Sequence, residues 1–249
     1  MELKKIIAIR TEKTIYLHED KVIKMFAQGY DKADIFNEAL NQARVEQTNL
    51  NIPHIIEVRQ FDQKLGIVLE YVKGKTLAQL MLENPENYDE YLNMFVDLQL
   101  EVHKQKSPLL NKLKDKLYRK ILEAKVDATT RYDLLTSLQS KPNHNKLCHG
   151  DYNLSNVMVA DDGKLYILDW SHATQGNASA DAARTYLTFW LDGNVSRADQ
   201  YLDMFCEKSN ILRSYVQGWI PIVAAAQSVR GNAEEREFLL HLLGVVDYQ

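Results

Sequence analysis

Four polar side chains that can take part in metal or phosphate chemistry fall within the stretch LCHGDYNLSNVMVADDGKLYILDW, residues 147–170. They are His149, Asp151, Asn156 and Asp169. A carboxylate and an amide oxygen at one point suit Mg²⁺, which binds through one or two protein oxygens and leaves its other positions to water and phosphates. A further carboxylate can accept the proton of a hydroxyl group. The residue types therefore indicate a hard-metal site with a proton acceptor nearby.

The strands that must position these residues are predicted by the letters between them. VMVA and KLYIL are β-prone runs separated by DDG, a strong turn signal, so we expect an antiparallel hairpin centred near residue 162. This pairing brings Asn156 opposite Asp169 at the open end of the hairpin, with Asp151 on the loop that leads into the first strand. Turn capping explains each polar residue singly, but it does not explain why they occur together.

The motif HGDYNLSN followed by LDW resembles the catalytic loop and metal-binding segment of the aminoglycoside phosphotransferase and choline kinase family, which is distantly related to protein kinases. The shared pattern is His-Gly-Asp, four variable residues, Asn, and then a strand pair that ends in Asp. The resemblance implies that Asp151 is the catalytic base and that Asn156 and Asp169 hold Mg²⁺. It also implies that His149 is a structural member of the loop.

The resemblance continues through DWSHATQGNASADAARTYL. In bacterial members of the family, an Asp twelve residues past the metal-binding Asp braces the catalytic loop, and Asp181 occupies that position here. The alternative is that Asp181 only caps the helix that follows, which is compatible with bracing.

The family also requires a lysine on a strand that contacts the nucleotide phosphates, together with a glutamate on the next helix that positions it. Lys24 in KVIKMF is the candidate, because Val22, Lys24 and Phe26 share one face of a strand. A solvated lysine on an edge strand is the alternative. Glu38 is the expected partner, and Glu46, two turns further on, is its competitor.

The segment IVLEYVKGKTL resembles the kinase hinge, where backbone groups of Glu70, Tyr71 and Val72 would hydrogen-bond the purine. One feature of kinases is missing, because no glycine occurs before Gly29 and the turn that should cover the phosphates reads IRTEKT. Thr11 or Thr14 would then take the place of the glycine-rich loop.

The element pattern agrees with a two-lobed, protein-kinase-like α+β fold. Residues before about 73 read as two strand pairs around one helix, whose apolar stripe we expect to be Phe36, Ala39, Leu40 and Ala43. From about residue 76 the periodicity is helical, apart from the predicted hairpin. We expect a strand-rich, nucleotide-binding N-lobe over residues 1–73 and a helix-rich C-lobe over residues 74–249, which carries the catalytic loop, metal site and substrate-binding helices.

Composition excludes several other classes of protein. The hydrophobic share of 45% and charged share of 26% are those of a globular protein, and the net charge of −4 argues against a nucleic-acid partner. The apolar run IIAI is too short for a signal-peptide core. The sequence also has no run of 18 apolar residues, the length that would predict a membrane span. We therefore expect a cytoplasmic protein. The two cysteines match neither a disulfide framework nor a zinc site.

The resemblance implies a Mg²⁺-dependent kinase that moves the γ-phosphoryl group of ATP or GTP to a hydroxyl of a small molecule. Its alternative is a catalytically weak pseudokinase that acts as a nucleotide- or partner-binding module, and the glycine-free turn favours it. Only eleven residues separate Asp169 from Asp181, too few for the platform on which protein kinases present peptides. An aminoglycoside acceptor would need acids such as Asp192, Asp199, Asp203 and Glu207, whose spacing is equally that of exposed helix faces. The sequence predicts no oligomeric state.

Overall fold

The computed structural model describes residues 5–10, 12–230 and 232–243. The chain forms two compact units. The first contains the described residues up to Pro85 together with Leu154–Ala173, and the second contains Glu86–Asn153 and the described residues from Thr174 onward. These units differ from the expected lobes, because the chain stays in the first unit until Pro85 and returns to it for the hairpin.

The first unit is built on a five-stranded antiparallel sheet with the strand order β1-β2-β3-β5-β4. Side-chain alternation gives the sheet two apolar faces. On one face Ile23 and Met25 pack with Val68, and on the other Phe26 packs with Ile67. The strands are β1 (Lys5–Arg10), β2 (Lys13–His18), β3 (Lys21–Phe26), β4 (Ile55–Phe61) and β5 (Lys64–Glu70).

Helix α1 (Lys32–Val45) begins after Asp31, whose carboxylate accepts a hydrogen bond from the Ala33 N–H. The expected apolar stripe of this helix is wrong, since Phe36 and Leu40 are 46% and 47% exposed. The buried face instead carries three apolar and three polar members. They are Ile35, Ala39, Val45, Glu38, Asn41 and Gln42. Polar residues on the packed face made the apolar periodicity point to a neighbouring stripe.

A second sheet of the first unit contains the predicted hairpin. Its strands are β6 (Gly74–Thr76), β8 (Val157–Ala160) and β9 (Leu165–Ile167), and a capping box at Thr76 starts helix α2 (Leu77–Glu83). Gly74 faces the backbone of β8 so closely that a Cβ there would lie 2.2 Å from the carbonyl oxygen of Val159. Only glycine permits this pairing, which ties the segment after residue 73 to the first unit.

The second unit is helical, with one short sheet of β7 (Lys146–Cys148) and β10 (Thr174–Gly176). One face of a helix in this unit carries Leu113, Leu117 and Ile121, whose helical spacing predicts their burial, and all three are buried. None of the helices in the described part of the chain combines the length and apolar character of a transmembrane span. The helices are α3 (Tyr88–Lys104), α4 (Leu113–Glu123), α5 (Ala128–Ser140), α6 (Ala178–Leu191), α7 (Val195–Ser209), α8 (Arg213–Gln217), α9 (Ile220–Gln227) and α10 (Ala233–His241).

Candidate active site

Lys24, Glu38 and Asp169 come together in the first unit although 145 residues separate the first from the last. The Lys24 ammonium lies 3.1 Å from Glu38 Oε1 and 3.1 Å from Asp169 Oδ1. The Lys24 and Glu38 side chains are only 12% and 9% exposed. Lys24 is therefore a partly buried, doubly paired lysine, which excludes the alternative of a solvated edge residue.

The charges of this group stabilise one another. Burial alone would lower the pKa of Lys24, but Asp169 and Glu38 outweigh burial and raise that pKa well above its usual range. Burial alone would likewise raise the pKa of Asp169, but Lys24 and then Lys13 hold it far below its usual range. Both groups are therefore ionised over the whole range in which proteins are normally studied.

Asp169 is held by its backbone as well as by its charge. Its φ of 57° and ψ of 71° lie in the left-handed region, which non-glycine residues seldom adopt and which often marks a functional position. The next residues form a short 3-10 helix over Trp170–His172, where the Ser171 carbonyl accepts a hydrogen bond from Asn41 on α1. Helix α1 thus supports the segment that carries Asp169.

The hairpin forms as predicted, but its register differs by one residue. Val157 pairs with Ile167, and the Leu168 N–H donates to the Asn156 carbonyl oxygen at 2.8 Å. Leu168, rather than Asp169, therefore faces Asn156 across the hairpin. The tight turn around Gly163, with φ of 83°, sets the strand register. The turn sequence alone left this register uncertain by one residue.

Glu46, the competitor of Glu38, has a different role. Its carboxylate accepts a hydrogen bond from the Ile55 N–H at 2.7 Å and lies 3.4 Å from His54 Nδ1. It therefore joins the end of α1 to the start of β4, and Glu38 is the acid that contacts Lys24.

The predicted hinge offers one clear backbone donor. The Glu70 N–H donates to the His54 carbonyl and the Tyr71 N–H to the Asp20 carbonyl. Within the described residues, the N–H of Val72 has no protein acceptor, although Val72 is only 8% exposed. Since buried N–H groups are seldom left without an acceptor, Val72 is the member of the predicted trio best suited to bind a purine nitrogen.

The residues expected to replace a glycine-rich loop do not lie with Lys24. Thr11 is outside the described residues. Thr14 is paired with Met25 in the β2–β3 ladder, so its side chain lies on the opposite face of the sheet from Lys24. Its neighbour Lys13, which the sequence analysis did not single out, lies on the same face as Lys24 and is 2.6 Å from Glu38 Oε2.

The HGD motif lies in the second unit, where Asp181 holds its backbone. The Gly150 N–H donates to Asp181 Oδ1 at 2.7 Å and the His149 N–H to Asp181 Oδ2 at 3.1 Å. His103 Nε2 donates to the same Oδ2 at 3.0 Å. Burial raises the pKa of Asp181, but His103, His149 and the Gly150 N–H more than offset it, so the pKa lies below its usual value.

His149 is completely buried and acts on the loop from inside. Its Nδ1 accepts a hydrogen bond from the Asp151 N–H at 3.2 Å, which requires any proton of a neutral ring to sit on Nε2. Gly150 has a φ of 78°, a left-handed conformation that glycine adopts without strain. His149 and Gly150 therefore determine the backbone conformation of the loop at Asp151.

Asp151 itself is partly exposed and contacts two side chains. Arg184 Nη2 on α6 lies 3.3 Å from Asp151 Oδ1, and Asn153 Nδ2 donates to the Asp151 carbonyl at 3.1 Å and to its Oδ2 at 3.4 Å. Sequence reasoning missed Arg184. Its position three residues after Asp181, on the same face of one helix, is the signal that identifies it.

A buried polar network fixes the residue after Asp151. The Tyr152 hydroxyl donates to the Phe95 carbonyl at 2.8 Å, and the Tyr152 carbonyl accepts from Thr185 Oγ1 at 2.9 Å. Gln99 then joins Thr185 to the hydroxyl of Tyr201. Satisfied buried networks of this kind make a segment rigid, so the loop is anchored on both sides of Asp151.

The donor set fits magnesium better than a transition metal. Among the described residues there is no cluster of three or more His, Cys, Asp or Glu side chains able to hold a metal ion by themselves. Asp169 supplies an ionised carboxylate and Asn156 an amide in the same unit. Mg²⁺ typically binds one or two protein oxygens plus substrate phosphates, and the carboxylate and amide of this pair match that preference.

Comparison with known proteins places the chain in a family. The model of the phosphotransferase enzyme family, APH, matches residues 8–218. No curated protein sequence matches the chain.

Solved structures of low sequence identity share the fold. Aminoglycoside phosphotransferase APH(4)-Ia is 13% identical with a TM-score of 0.71, over 97% of this chain and 92% of that one. Its ternary complex with AMP-PNP and hygromycin B gives a TM-score of 0.70 at 15% identity, with the same coverage. Choline kinase LicA from Streptococcus pneumoniae is 11% identical with a TM-score of 0.66, over 99% and 92% of the two chains. The α+β, protein-kinase-like fold is thereby confirmed, and the chain belongs to the phosphotransferase enzyme family.

Proposed function

We propose that this phosphotransferase is a Mg²⁺-dependent kinase that moves the γ-phosphoryl group of ATP or GTP to a hydroxyl of a small molecule. The observation that supports this most strongly is the ion-pair group in which Lys24 contacts both Glu38 and Asp169 at 3.1 Å. Burial removes the water that would otherwise solvate the three charges, and buried charged groups of this kind occur most often at functional sites.

The first unit provides the donor side of this reaction. Lys24 binds the donor phosphates, and Glu38 keeps the ammonium in place. The Val72 N–H binds the purine. Asn156 and Asp169 would hold Mg²⁺, which supplies positive charge that polarises the phosphoryl group and stabilises the charge of the transition state.

The second unit provides the acceptor side. Asp151 orients the acceptor hydroxyl and accepts its proton. Arg184 and Asn153 restrict the rotation of the Asp151 carboxylate. The chain crosses from one unit to the other between Asn153 and Leu154, inside the motif that carries Asp151 and Asn156.

Two features bear on the acceptor. Residues 170–180 contain a 3-10 helix, strand β10 and the cap of α6, a compact connection that leaves no long segment for binding a peptide. The acids considered for a cationic acceptor include Asp199 and Asp203, and both are paired with Arg213. Arg213 offsets part of their negative charge, so these two acids give no specific support to an aminoglycoside acceptor.

Large aromatic residues of the second unit are mostly part of the core and so are not free to line an acceptor pocket. Tyr186 and Phe189 are 7% and 5% exposed, and Trp219 is fully buried. The acceptor class therefore has to come from a direct search.

The glycine-free turn favoured the pseudokinase alternative. Against it, Lys24 contacts both Glu38 and Asp169, as phosphoryl transfer of this type requires, and Asp151 lies on a braced loop.

The test is a search for phosphotransfer. Purified protein with Mg²⁺ and ATP or GTP is incubated with sugars, amino alcohols, hydroxy amino acids and aminoglycosides, and with generic protein substrates. Phosphorylation of one small-molecule class, lost in Asp151→Asn, is the expected result. Efficient phosphorylation of proteins without any small-molecule acceptor would overturn the proposed acceptor, and binding of nucleotide without transfer to any acceptor would favour the pseudokinase.

A further inference from the structure

Glu38 binds a second lysine besides Lys24. Lys13 on β2 places its ammonium 2.6 Å from Glu38 Oε2, while Lys24 lies 3.1 Å from Oε1. The Lys13 side chain is 19% exposed. One carboxylate thus gathers two ammonium groups within the region where the donor phosphates are proposed to bind.

Strand register explains why Lys13 lies there. In the antiparallel ladder, Ile15 is paired with Lys24 and Lys13 with Phe26, so Lys13 and Lys24 occupy the same face of the sheet. The Lys13 ammonium also lies 5.2 Å from the centre of the Phe26 ring, a favourable cation–π distance. Sheet geometry and Phe26 together direct Lys13 towards Glu38 and α1.

Glu38 can position Lys24 without any help from Lys13, so the presence of this second lysine calls for an explanation. Ordering a long side chain and partly removing its charge from water are both unfavourable. The stretch that contains Lys13, IRTEKT, is also the stretch in which a glycine-rich loop would offer backbone N–H groups to phosphates. An ammonium has three N–H donors, of which Glu38 takes one.

We propose that Lys13 binds the terminal phosphates of the nucleotide, and so supplies with an ammonium what a glycine-rich loop supplies with backbone amides. This inference rests on the proposed function. Glu38 then serves as a common anchor for two phosphate-binding lysines on adjacent strands. Because the contact is with the terminal phosphates, it discriminates between nucleotides by the number of their phosphates.

The first experiment measures the affinity of Lys13→Met for Mg²⁺-ATP, Mg²⁺-ADP and AMP by calorimetry. Loss of one charge-assisted hydrogen bond should weaken ATP binding about tenfold or more and leave AMP binding near wild type. Lys13→Arg, which keeps the charge, should restore most of the affinity. Lys64→Met is the matched control, because Lys64 is exposed at the start of β5 and lies on the opposite face of the sheet from Lys24.

A lysine with only a structural role gives a different pattern. Lys13→Met would then lower the melting temperature and weaken ATP and AMP to the same extent, and that result would overturn the inference. Unchanged ATP affinity in Lys13→Met would overturn it too. Failure of the wild-type protein to bind any nucleotide would overturn both the inference and the proposed function. If the wild type binds ATP and Lys13→Met binds it equally well, only the inference is overturned.

A second experiment uses the wild-type protein and needs no variant to fold. An amine-reactive acetylating reagent modifies accessible lysines, and mass spectrometry reads the extent of modification at each one. Mg²⁺-ATP should protect Lys13 while AMP does not, and Lys64 should react equally in all conditions. Equal labelling of Lys13 with ATP and AMP would contradict direct contact with the terminal phosphates.

Discussion

Asp151 and Asp169 carry the same carboxylate in different surroundings, and this difference supports the different roles proposed for them. Asp169 is paired with a buried lysine and has a backbone in the left-handed region. Asp151 is partly exposed on a braced loop and contacts Arg184 at 3.3 Å. The first arrangement suits a permanently charged ligand, and the second suits a group that must reach a substrate proton.

Asp151→Asn should lower turnover by about two orders of magnitude or more, since general-base catalysis typically contributes 10²- to 10⁴-fold. Nucleotide affinity should stay near wild type, because Asp151 belongs to the acceptor side. Steady-state kinetics and nucleotide titrations measure the two effects. Asp162→Asn in the exposed turn of the hairpin is the control, and near-normal turnover in folded Asp151→Asn would remove Asp151 from its role.

Asp169→Asn should impair Mg²⁺-dependent nucleotide binding more severely than Asn156→Ala. The first variant loses a charged ligand and the partner of Lys24, whereas the second loses a neutral amide. Titration of Mg²⁺ and nucleotide into both proteins tests the order. If Asn156→Ala proves the more damaging, the metal assignment is wrong.

At the scale of single elements, helix α6 braces the catalytic loop. Its first turn carries Asp181, which accepts hydrogen bonds from two loop N–H groups and from His103, and its second turn carries Arg184, which contacts Asp151. One rigid helix therefore sets both the backbone of the loop and the side chain proposed as the base.

Asp181→Asn should destabilise the protein by about 2 kcal/mol or more, because the amide has only one acceptor oxygen and leaves a buried donor unsatisfied. The folded-state pKa of Asp181 is lowered, so its contribution is complete above the ordinary carboxyl pKa and is lost as the pH falls through the lowered value. Chemical denaturation across acid and neutral pH should show the difference from wild type shrinking in acid. Asp203→Asn, in an exposed pair with Arg213, should cost less than about 1 kcal/mol.

Helix α4 carries a lysine whose charge is unfavourable in the folded state. Burial, with the charges of Arg184 and Arg230, lowers the pKa of Lys116 to about 8. Below that pH the charge persists in both states and destabilises the folded one, and the penalty fades as the pH rises towards the ordinary lysine pKa. Lys116→Met should therefore raise the free energy of unfolding at neutral pH by at most about 3 kcal/mol. The gain should be smaller than this limit, because the Lys116 side chain is only partly buried.

The measurement is the melting temperature of Lys116→Met and wild type from pH 7 to pH 10, where the gap between them should narrow. Lys120→Met on the same helix is the control, because Lys120 forms only a surface pair with Glu123 and should change stability little. A Lys116→Met protein that is less stable at neutral pH would mean that the charge is favourable in its surroundings.

At the scale of the whole molecule, nucleotide binding should be visible as a gain in stability. A ligand that binds only the folded state stabilises it by mass action, by about 2.7 kcal/mol at a hundred times its dissociation constant. Mg²⁺-ATP should raise the melting temperature of the wild type, and Lys24→Ala should lose most of that shift while it still folds. Unfolding of Lys24→Ala without a specific nucleotide defect would indicate a structural lysine instead.

The sequence by itself determined the type of fold and supplied the hypothesis for the chemistry. The spacing of Asp151, Asn156 and Asp169 is a local property of one loop and one hairpin, so adjacent letters suffice to predict it. Strand alternation likewise placed Lys24, and apolar periodicity found the buried stripe of α4. These features depend on neighbours within about twenty residues, where local geometry is set by a few dihedral angles.

Only the tertiary structure decided which distant side chains meet. The buried face of α1 could not be chosen from periodicity, because that face carries Glu38, a charged residue whose burial is compensated by Lys13 and Lys24 on the sheet. Arg184 meets Asp151 only because α6 packs under the catalytic loop. The one-residue register of the hairpin depended on the turn at Gly163. The hairpin register is a local effect of its turn, but the contacts of Glu38 and Arg184 depend on long-range packing, and no short window of sequence contains both partners.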